Sequence, residues 1–264
     1  MKRIISLILV AIIATLSVFA ITSCGSSSDV EQVKNNGKIV VGVTVYAPMD
    51  YVDSETGEWA GFDAELAQMF AESLGVNAQL VIINWNNKVA ELDSNQIDLI
   101  WNGMTASDEL GEQIDFSIPY AKNAQVAVVK KGSTVTAETI KNATVAVENG
   151  SAGEDVAKET IGATNVVEKD DGQVGALNEV LSGNADVAVI DITMAESVIG
   201  KGEYADLEVV EGATYGKEVF AVGLRTGSDL KAELDAFLKA KYEDGTIARL
   251  AQKYSVSINE EAFQ

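Results

Sequence analysis

The feature that most constrains the fold is a repeated order of strand-like and helix-like segments. Residues 38–101 alternate three short apolar runs, KIVVGVTV, AQLVII and IDLIW, with two segments whose apolar residues recur at helical spacing. Residues 143–191 repeat the order, with ATVAVE, TNVVEK and ADVAVI as the strand runs. A β-α-β-α-β order predicts a parallel sheet covered by helices. Two such units predict two α/β lobes rather than one continuous sheet.

Two extended apolar segments are suited to crossing between the lobes. The segment YAKNAQVAVVKKG separates the two units, and YGKEVFAVGLRTG follows the second unit. Two crossings return the chain to its first lobe, so the two C-terminal helices are predicted to pack there. The predicted lobe 1 therefore comprises residues 37–123 and 217–264, and lobe 2, with the hinge crossings, comprises residues 124–216.

The first long helix has recognisable start and stop signals. Asp63 is placed to cap a helix whose Leu66, Phe70 and Leu74 share one face. Gly75 is placed to end that helix. These signals predict a helix that covers the first sheet.

The N-terminal residues 1–23 have the layout of a secretory signal peptide. Lys2 and Arg3 precede an uncharged apolar run, and the sequence ITSC after it resembles the lipobox of bacterial lipoproteins. Cys24 is the only cysteine in the chain, so it has no partner for an internal disulfide. The sequence thus predicts a protein held on the extracytoplasmic side of the cell membrane by a lipid on Cys24, with residues 24–36 as a flexible tether. An uncleaved anchor with an incidental cysteine is the alternative.

Charge and composition exclude several classes of function. The formal net charge of −21 argues against nucleic acid or anionic lipid as a partner, because both require a basic face. Acidity that only keeps the protein soluble is the plainer explanation of this total. The chain has no histidine, which excludes histidine general bases, Ser-His triads and imidazole metal ligands. We expect no metal, no cofactor and no catalytic residue, and we expect a monomer.

The residues that follow the predicted strands indicate a ligand site. Ligands of open parallel sheets bind outside the carboxyl ends of the strands, where helix N-termini and loops converge. Aromatic rings, small hydroxyl and amide groups, the glycines of GSAG and the carboxylate of Asp191 all fall at these positions. Aromatic rings attract a cation, backbone N–H groups suit a carboxylate, and Asp191 suits an ammonium group. The edge therefore predicts a site for a small zwitterionic or cationic solute.

Each of these residues also has a purely structural explanation. Asp191 is placed to cap a helix that begins near Thr193, and Tyr46 and Trp85 suit aromatic packing on a lobe surface. The GSAG glycines are typical of turns, and the polar groups of Asn102 and Thr105 could bond loop backbone. Only their joint placement at one edge favours ligand binding.

Five segments together resemble the solute-binding proteins of polar amino acid ABC importers, often called family 3. They are KIVVGVTVYAPMDYVDSETGEWAGFDAELA, IDLIWNGMTASDELGEQIDFSIPY, VAVENGSAGEDVA, NADVAVID and YEDGTIARLAQKY. The resemblance implies a type II periplasmic-binding-protein-like Venus flytrap, in which two α/β lobes joined by two hinge strands close over one small solute. It also implies that an ABC permease in the membrane receives the solute.

The resemblance assigns roles residue by residue. Tyr46 and Trp85 match the positions that flank the ligand side chain, and Asp191 matches the acid that holds the α-ammonium group. The remaining ligand-binding positions are the first-lobe polar contacts Asn102, Gly103 and Thr105 and the second-lobe loop residues Ser151 and Ala152.

One position departs from the pattern of this family. Family members carry an arginine five residues after Thr105 that pairs with the α-carboxylate of the ligand, and this chain has Leu110 there. An alkyl chain cannot replace a bidentate guanidinium, and Lys169 is the only cation predicted near the cleft. Either helix N-termini and neutral donors hold the carboxylate, or the ligand is an amine without one. An amine would suit an acidic edge formed by Asp50, Glu148 and Asp191.

Three functions therefore compete at the level of sequence. They are solute capture for an importer, ligand sensing for a separate membrane receptor, and a dehydratase-like enzyme on the same scaffold. The enzyme would need an acid with a raised pKa, for which Glu148 or Glu154 is available, and cations for a multiply charged substrate. The predicted cleft lacks those cations, which favours binding over catalysis.

Overall fold

The computed structural model describes residues 28–264. The predicted signal peptide and the predicted lipidation of Cys24 lie outside the described residues. The strands are β1 (Lys38–Val43), β2 (Tyr51–Val52), β3 (Trp59–Ala60), β4 (Asn77–Ile82), β5 (Leu99–Ile100), β6 (Asp115–Phe116), β7 (Ala121–Lys130), β8 (Thr144–Glu148), β9 (Asn165–Lys169), β10 (Val187–Asp191), β11 (Leu207–Phe220) and β12 (Gly223–Leu224).

Helices alternate with these strands along the chain. The α-helices are α1 (Asp29–Asn36), α2 (Phe62–Ser73), α3 (Lys88–Asp93), α4 (Asp108–Gly111), α5 (Ala152–Asp155), α6 (Gly172–Ser182), α7 (Ile192–Val198), α8 (Leu230–Glu243) and α9 (Thr246–Tyr254). A π-helical segment, Val156–Thr160, continues α5. Short 3₁₀ turns cover Trp85–Asn87, Ile140–Asn142, Gly202–Tyr204 and Glu260–Phe263. None of these helices combines the length and apolar character that a membrane crossing requires.

Sheet 1 has the strand order β4-β1-β5-β12-β6. β1 pairs in parallel with β4 and β5, as the first repeat unit predicted, whereas β12 is antiparallel to β5 and β6. Beneath the sheet Phe70 lies between Trp101 and Phe237, with ring centroids 6.3 and 5.4 Å away. Phe70 and Trp101 are fully buried. These large aromatic side chains supply much of the apolar area that lobe 1 buries.

Sheet 2 has the strand order β11-β7-β10-β8-β9. β8 pairs in parallel with β9 and β10, as the second repeat unit predicted. β7 is antiparallel to both β10 and β11. Helix α6 packs on β8, β9 and β10. β2 and β3 form a third, two-stranded sheet, and the two separate five-stranded sheets confirm the prediction of two α/β lobes.

The two crossing segments are strands of sheet 2 and pair with each other. Ala121 at the start of β7 is opposite Phe220 at the end of β11, and the N–H of Tyr120 donates to the Phe220 carbonyl at 2.9 Å. The prediction of two extended crossings is confirmed. Their mutual pairing satisfies backbone N–H and C=O groups that two isolated strands would leave open. The residue bounds proposed for the two lobes stay a prediction.

The N-terminal segment differs from the sequence prediction. The tether predicted for residues 24–36 is wrong over its second part, because Asp29–Asn36 forms helix α1. Ser28 caps this helix by accepting from the N–H of Glu31 at 3.0 Å, and Val33 is buried. Asp29 also forms an ion pair with Arg225 at 3.2 Å, so α1 is fixed to lobe 1.

The C-terminal helices pack on lobe 1, as predicted. Leu234 and Leu250 are fully buried, and α8 and α9 both contact α2. Glu65 of α2 accepts from Lys253 at 2.6 Å. The described residues therefore begin and end on the same lobe.

Asp63 does not cap α2. Gly61 occupies the cap position, and the Asp63 side chain is fully buried. Its Oδ2 accepts from the N–H of Gly103 at 2.6 Å and from the Tyr120 hydroxyl at 2.7 Å. Burial raises the pKa of Asp63 from 3.8 to about 7. This carboxyl group therefore anchors the loop after β5 instead of the start of a helix.

Candidate ligand-binding site

A cavity of about 300 Å³ lies between the carboxyl ends of the strands of the two sheets. Its volume falls at the small end of the range for ligand sites. Loops after β1, β4 and β5 form one wall, and β8, β10 and the loops beyond them form the other. All eight sequence-predicted ligand residues line the cavity, namely Tyr46, Trp85, Asn102, Gly103, Thr105, Ser151, Ala152 and Asp191. Their contact with a ligand stays a prediction.

Asp191 is held by side-chain amides. Its Oδ1 accepts from Asn123 at 2.5 Å and Gln125 at 2.7 Å, and its Oδ2 accepts from Gln173 at 2.5 Å. Burial raises the pKa of Asp191 to about 6, with a further contribution from Glu218. Asp191 occupies the N-cap position of α7, as the cap interpretation predicted, but its side chain makes no capping bond to that helix. Neutral amides orient this carboxylate without neutralising its charge, which suits an ammonium ligand.

Glu218 of β11 is a second acid bound to the same amides. Its Oε2 accepts from Asn123 at 2.8 Å and from Gln125 at 2.9 Å. The Thr105 hydroxyl also donates to it at 3.0 Å. Sequence reasoning missed Asn123, Gln125 and Gln173. The alternation of Asn123 and Gln125 along one face of β7 is the signal that could have found two of them.

The polar groups of the loop after β5 are largely used within the protein. Asn102 accepts from the N–H of Thr44, which ties β5 to β1. The N–H of Gly103 is committed to Asp63, and a Cβ at Gly103, where φ is +55°, would lie 2.7 Å from the Tyr46 ring. Only glycine adopts this conformation freely and leaves space for the ring. These residues therefore shape the wall first and offer few free donors.

Tyr46 and Trp85 supply aromatic surface on the lobe 1 side. Tyr46 is 2% exposed and meets Phe220 edge to face, with ring centroids 6.4 Å apart. The Tyr46 hydroxyl is buried without a hydrogen-bond partner among the described residues. Burial raises the pKa of Tyr46, and the charge of Asp191 raises it further. A neutral phenol in this position can donate or accept a hydrogen bond.

Lys88, which the sequence prediction overlooked, is the cation of the cavity wall. Its Nζ donates to the Gly150 carbonyl across the cleft at 2.8 Å and lies 4.9 Å from the centroid of the Trp85 ring. Its position three residues after Trp85, one helical turn on, is the signal that could have placed it. Burial lowers the pKa of Lys88. Lys169, the cation predicted here, instead pairs with Glu179 at 2.7 Å and does not line the cavity.

The acidic edge predicted from the sequence is correct for two of its three members. Glu148 and Asp191 line the cavity, whereas Asp50 does not. Asp50 is fully buried in lobe 1, and burial together with the charge of Asp63 raises its pKa. Glu148 is 4% exposed, and burial raises its pKa from 4.5 to about 8.

The second-lobe loop is ordered by its own hydrogen bonds. The Ser151 hydroxyl accepts from the N–H of Glu154 at 3.2 Å, and the N–H of Gly150 donates to the Glu154 side chain at 2.5 Å. Ser151 thus acts as the cap of α5. Glu154 is occupied here and by Lys158, so of the two acids considered for catalysis, Glu148 is the one that lines the cavity.

Leu110 lines the cavity in α4, where a guanidinium is expected from the resemblance. Among the described residues that line the cavity, Lys88 is the only lysine or arginine. A ligand carboxylate therefore meets no arginine in this wall.

Two lobes that enclose one polar cavity, joined by a pair of crossing strands, define a two-lobed ligand-binding protein of the Venus flytrap class. The family model of the bacterial extracellular solute-binding proteins, family 3, matches residues 39–257 of this sequence. The chain belongs to this family. Its fold is the type II periplasmic-binding-protein fold.

Individual relatives agree with this family. The L-cystine-binding protein TcyJ of Escherichia coli K12 is 32% identical over 251 residues, which cover 93% of this chain and 91% of that protein. The arginine-binding extracellular protein ArtP of Bacillus subtilis is 28% identical, with 93% and 96% covered. The curated relatives therefore include proteins named for different amino acids.

Solved structures show the same architecture. A mutant of the arginine-binding protein of T. maritima superposes with a TM-score of 0.78 at 29% identity, covering 86% of this chain and 98% of that one. An ABC uptake transporter substrate-binding protein of Streptococcus pneumoniae with bound histidine gives a TM-score of 0.78 at 30% identity, covering 87% and 96%.

Proposed function

We propose that this protein captures an amino acid or a related small amine in the cavity and delivers it to an ABC importer. The observation that carries the proposal is the amide-held carboxylate of Asp191 in the wall of a cavity that both lobes enclose. A ligand that contacts both walls binds the closed arrangement better than the open one, so its binding favours closure. The closed form is then the state that a permease would recognise.

The proposed location follows from the N-terminal sequence. Cleavage before Cys24 and lipidation of its thiol would hold the protein on the extracytoplasmic face of the membrane, beside its permease. Helix α1 begins at Asp29, so only a few residues separate Cys24 from lobe 1. The cavity would therefore stay close to the membrane. We propose that the protein acts there as a monomer.

Thermal-shift screening tests the binding function directly. Residues 28–264 contain both sheets and every contact described above, so the fragment Ser26 to Gln264 suits the experiment. A ligand that binds the folded state raises the melting temperature according to its concentration and affinity. We expect a rise with at least one amino acid or small amine, and a loss of that rise in Asp191→Ala. A panel of amino acids and amines without any rise would contradict the proposal.

A second candidate function rests on Glu148. A buried carboxyl with a pKa of about 8 is protonated at neutral pH and could serve as a general acid. The cyclohexadienyl dehydratase of Pseudomonas aeruginosa is 26% identical over 190 residues, which cover 69% of this chain and 70% of that enzyme. One lysine in the described cavity wall is a poor match for a multiply charged acid substrate. Turnover of prephenate or arogenate by the purified fragment would support catalysis, and its absence alongside ligand binding would support capture.

A further inference from the structure

Glu148 is the last residue of β8, and one of its carboxyl oxygens has no hydrogen-bond partner among the described residues. Glu148 is 4% exposed and lines the cavity, yet its Oε1 has no hydrogen-bond partner among residues 28–264. A buried polar atom without a partner loses its hydrogen bonds to water and gains none in return, which is costly. Most buried polar atoms in native proteins are therefore satisfied. An open acceptor in the wall of a ligand cavity points to a donor on the ligand.

Lys88, the lysine of the described cavity wall, does not donate a hydrogen bond to Glu148. Lys88 donates to the carbonyls of Gly150 at 2.8 Å and Trp85 at 3.3 Å. Lys88 forms no ion pair within 4.0 Å among the salt bridges of the described residues, although its charge is near enough to lower the pKa of Glu148. Asp191 and Asp171 act on Glu148 in the opposite direction. Two neighbouring carboxyl groups thus oppose the effect of the single lysine on the pKa of Glu148.

The charge of the whole wall agrees with that local picture. Among the described residues that line the cavity, four are acids and one is a lysine, and the acids are Glu109, Glu148, Asp155 and Asp191. Glu109, Asp155 and Asp191 outnumber Lys88 even while Glu148 is protonated, and an excess of one sign of charge in a concave surface concentrates ions of the opposite sign. Leu110 adds no positive charge for a ligand carboxylate. The cavity therefore favours a ligand with more positive than negative groups.

Glu148 and Asp191 lie on neighbouring strands. β8 and β10 are parallel, with Val145 opposite Val187 and Ala146 opposite Ala188. Both acids end their strands at the same edge of sheet 2. Both side chains line the same cavity, and the charge of Asp191 raises the pKa of Glu148, so one ligand in that cavity can reach both carboxyl groups.

We propose that Glu148 is a second cation subsite, and that the ligand carries two cationic groups, one held by Asp191 and the other by Glu148. The inference rests on the proposed capture function and narrows its solute to dibasic compounds. Diamines and basic amino acids share this chemistry. The basic amino acid adds an α-carboxylate, for which the wall offers backbone N–H groups and the partly engaged Lys88 but no guanidinium.

Calorimetric titration of the Ser26 to Gln264 fragment with matched amines tests the subsite. The probes are 1,4-diaminobutane and 1,5-diaminopentane, each against the monoamine of equal chain length, with lysine, arginine and alanine as amino acid probes. We expect the wild-type fragment to bind at least one diamine or basic amino acid roughly tenfold or more tighter than its monobasic counterpart, because a charge-assisted hydrogen bond is lost in the latter.

The matched variant is Glu148→Gln, which keeps the shape and removes the charge. We expect it to reduce the preference for the dibasic ligand to about twofold or less while the monobasic affinity stays within about twofold, which also shows that the site is folded. Glu72→Gln makes the same charge change on an exposed residue of α2 outside the cavity and should leave the preference unchanged.

The possible outcomes distinguish failure of the cation subsite from failure of the proposed capture function. A preference that survives Glu148→Gln, or tight binding of alanine that this change does not affect, would overturn the cation subsite and leave solute capture in place. Absence of binding by every amine and amino acid would overturn both. Tighter binding of lysine than of 1,5-diaminopentane would support the subsite with a basic amino acid as ligand, and the reverse order would support it with a diamine.

Discussion

The two walls of the cavity use their polar groups differently. On the lobe 1 side, the polar groups bond within the protein. Asn102 accepts from the N–H of Thr44, the N–H of Gly103 donates to Asp63, and the Thr105 hydroxyl donates to Glu218. On the lobe 2 side, neutral side-chain amides hold the charged carboxylate of Asp191. One carboxyl oxygen of Glu148 has no hydrogen-bond partner among the described residues. Lobe 1 therefore supplies shape, aromatic surface and the wall's lysine, and lobe 2 supplies three of the four acids among the described lining residues. This division suggests that recognition of an amine depends mainly on lobe 2.

Asp191→Ala should give the largest loss of binding. It removes the carboxylate and leaves the Gln173 amide without its acceptor, whereas Asn123 and Gln125 still donate to Glu218. Hydrogen bonds to charged groups contribute about 1.5–3 kcal/mol, so affinity for an ammonium ligand should fall by roughly tenfold to a hundredfold. Titration calorimetry measures the change, with exposed Glu233→Ala of α8 as the control. Unchanged affinity would mean that the carboxylate serves only the amide network.

Leu110→Arg should have the next largest effect, and in the opposite direction. A guanidinium at this edge can form two parallel hydrogen bonds with a ligand carboxylate. We expect α-amino acids to gain about tenfold in affinity relative to amines that lack the carboxylate. Leu110→Met, which keeps the apolar character, should change neither class. An arginine that leaves this ratio unaltered would show that the carboxylate of a bound amino acid does not approach α4.

Trp85→Ala tests the contribution of lobe 1. The change removes an aromatic face of the cavity and the cation–π contact with Lys88 at 4.9 Å. A ligand cation over the same ring would gain about 0.5–2 kcal/mol, so we expect a loss of about fivefold in affinity for a cationic ligand. Trp85→Phe, which keeps an aromatic ring, should retain most of the wild-type affinity. A loss larger than that of Asp191→Ala would reverse the comparison between the two walls.

The smallest expected effect is on the pH dependence of stability. Comparing the melting temperatures of wild type and Glu148→Gln should isolate the contribution of Glu148 from those of the other acids. A carboxyl whose pKa rises from 4.5 in the unfolded chain to about 8 on folding holds its proton more tightly in the folded state. The free energy of unfolding of the unliganded protein should therefore fall as pH rises from 4.5 to 8. Glu148→Gln removes this part of the slope, so its melting temperature should match wild type near pH 5 and exceed it by several degrees near pH 8.5. Parallel curves for the two proteins would contradict burial of a protonated Glu148.

Sequence patterns predicted the elements well because their causes are local. Apolar runs and helical spacing depend on residues near one another in the chain, so they placed both repeat units and the C-terminal helices. The edge positions after the strands followed from the rule for parallel sheets, which brought all eight predicted residues to one cavity.

The partners of polar groups were harder to predict because they come from distant segments. Asp63 looks like a cap by its position, but Gly103 and Tyr120 bind it from elsewhere in the chain. Asp50 carries the same charge as Glu148, yet only the packing of lobe 1 shows that it faces inward. The reach of Lys88 across the cleft depends on how the two lobes meet, which no local pattern records.

The central claim is that carboxyl groups of lobe 2 hold the cationic groups of the ligand. With a pKa of about 8, Glu148 is mostly protonated at pH 7 in the unliganded protein and must lose that proton to pair with a cation. Calorimetric titration with the best dibasic ligand at pH 7, in buffers of different ionisation enthalpy, counts the protons released on binding. We expect release of about one proton per ligand from wild type and much less from Glu148→Gln. Equal proton release from the two proteins would contradict the claim.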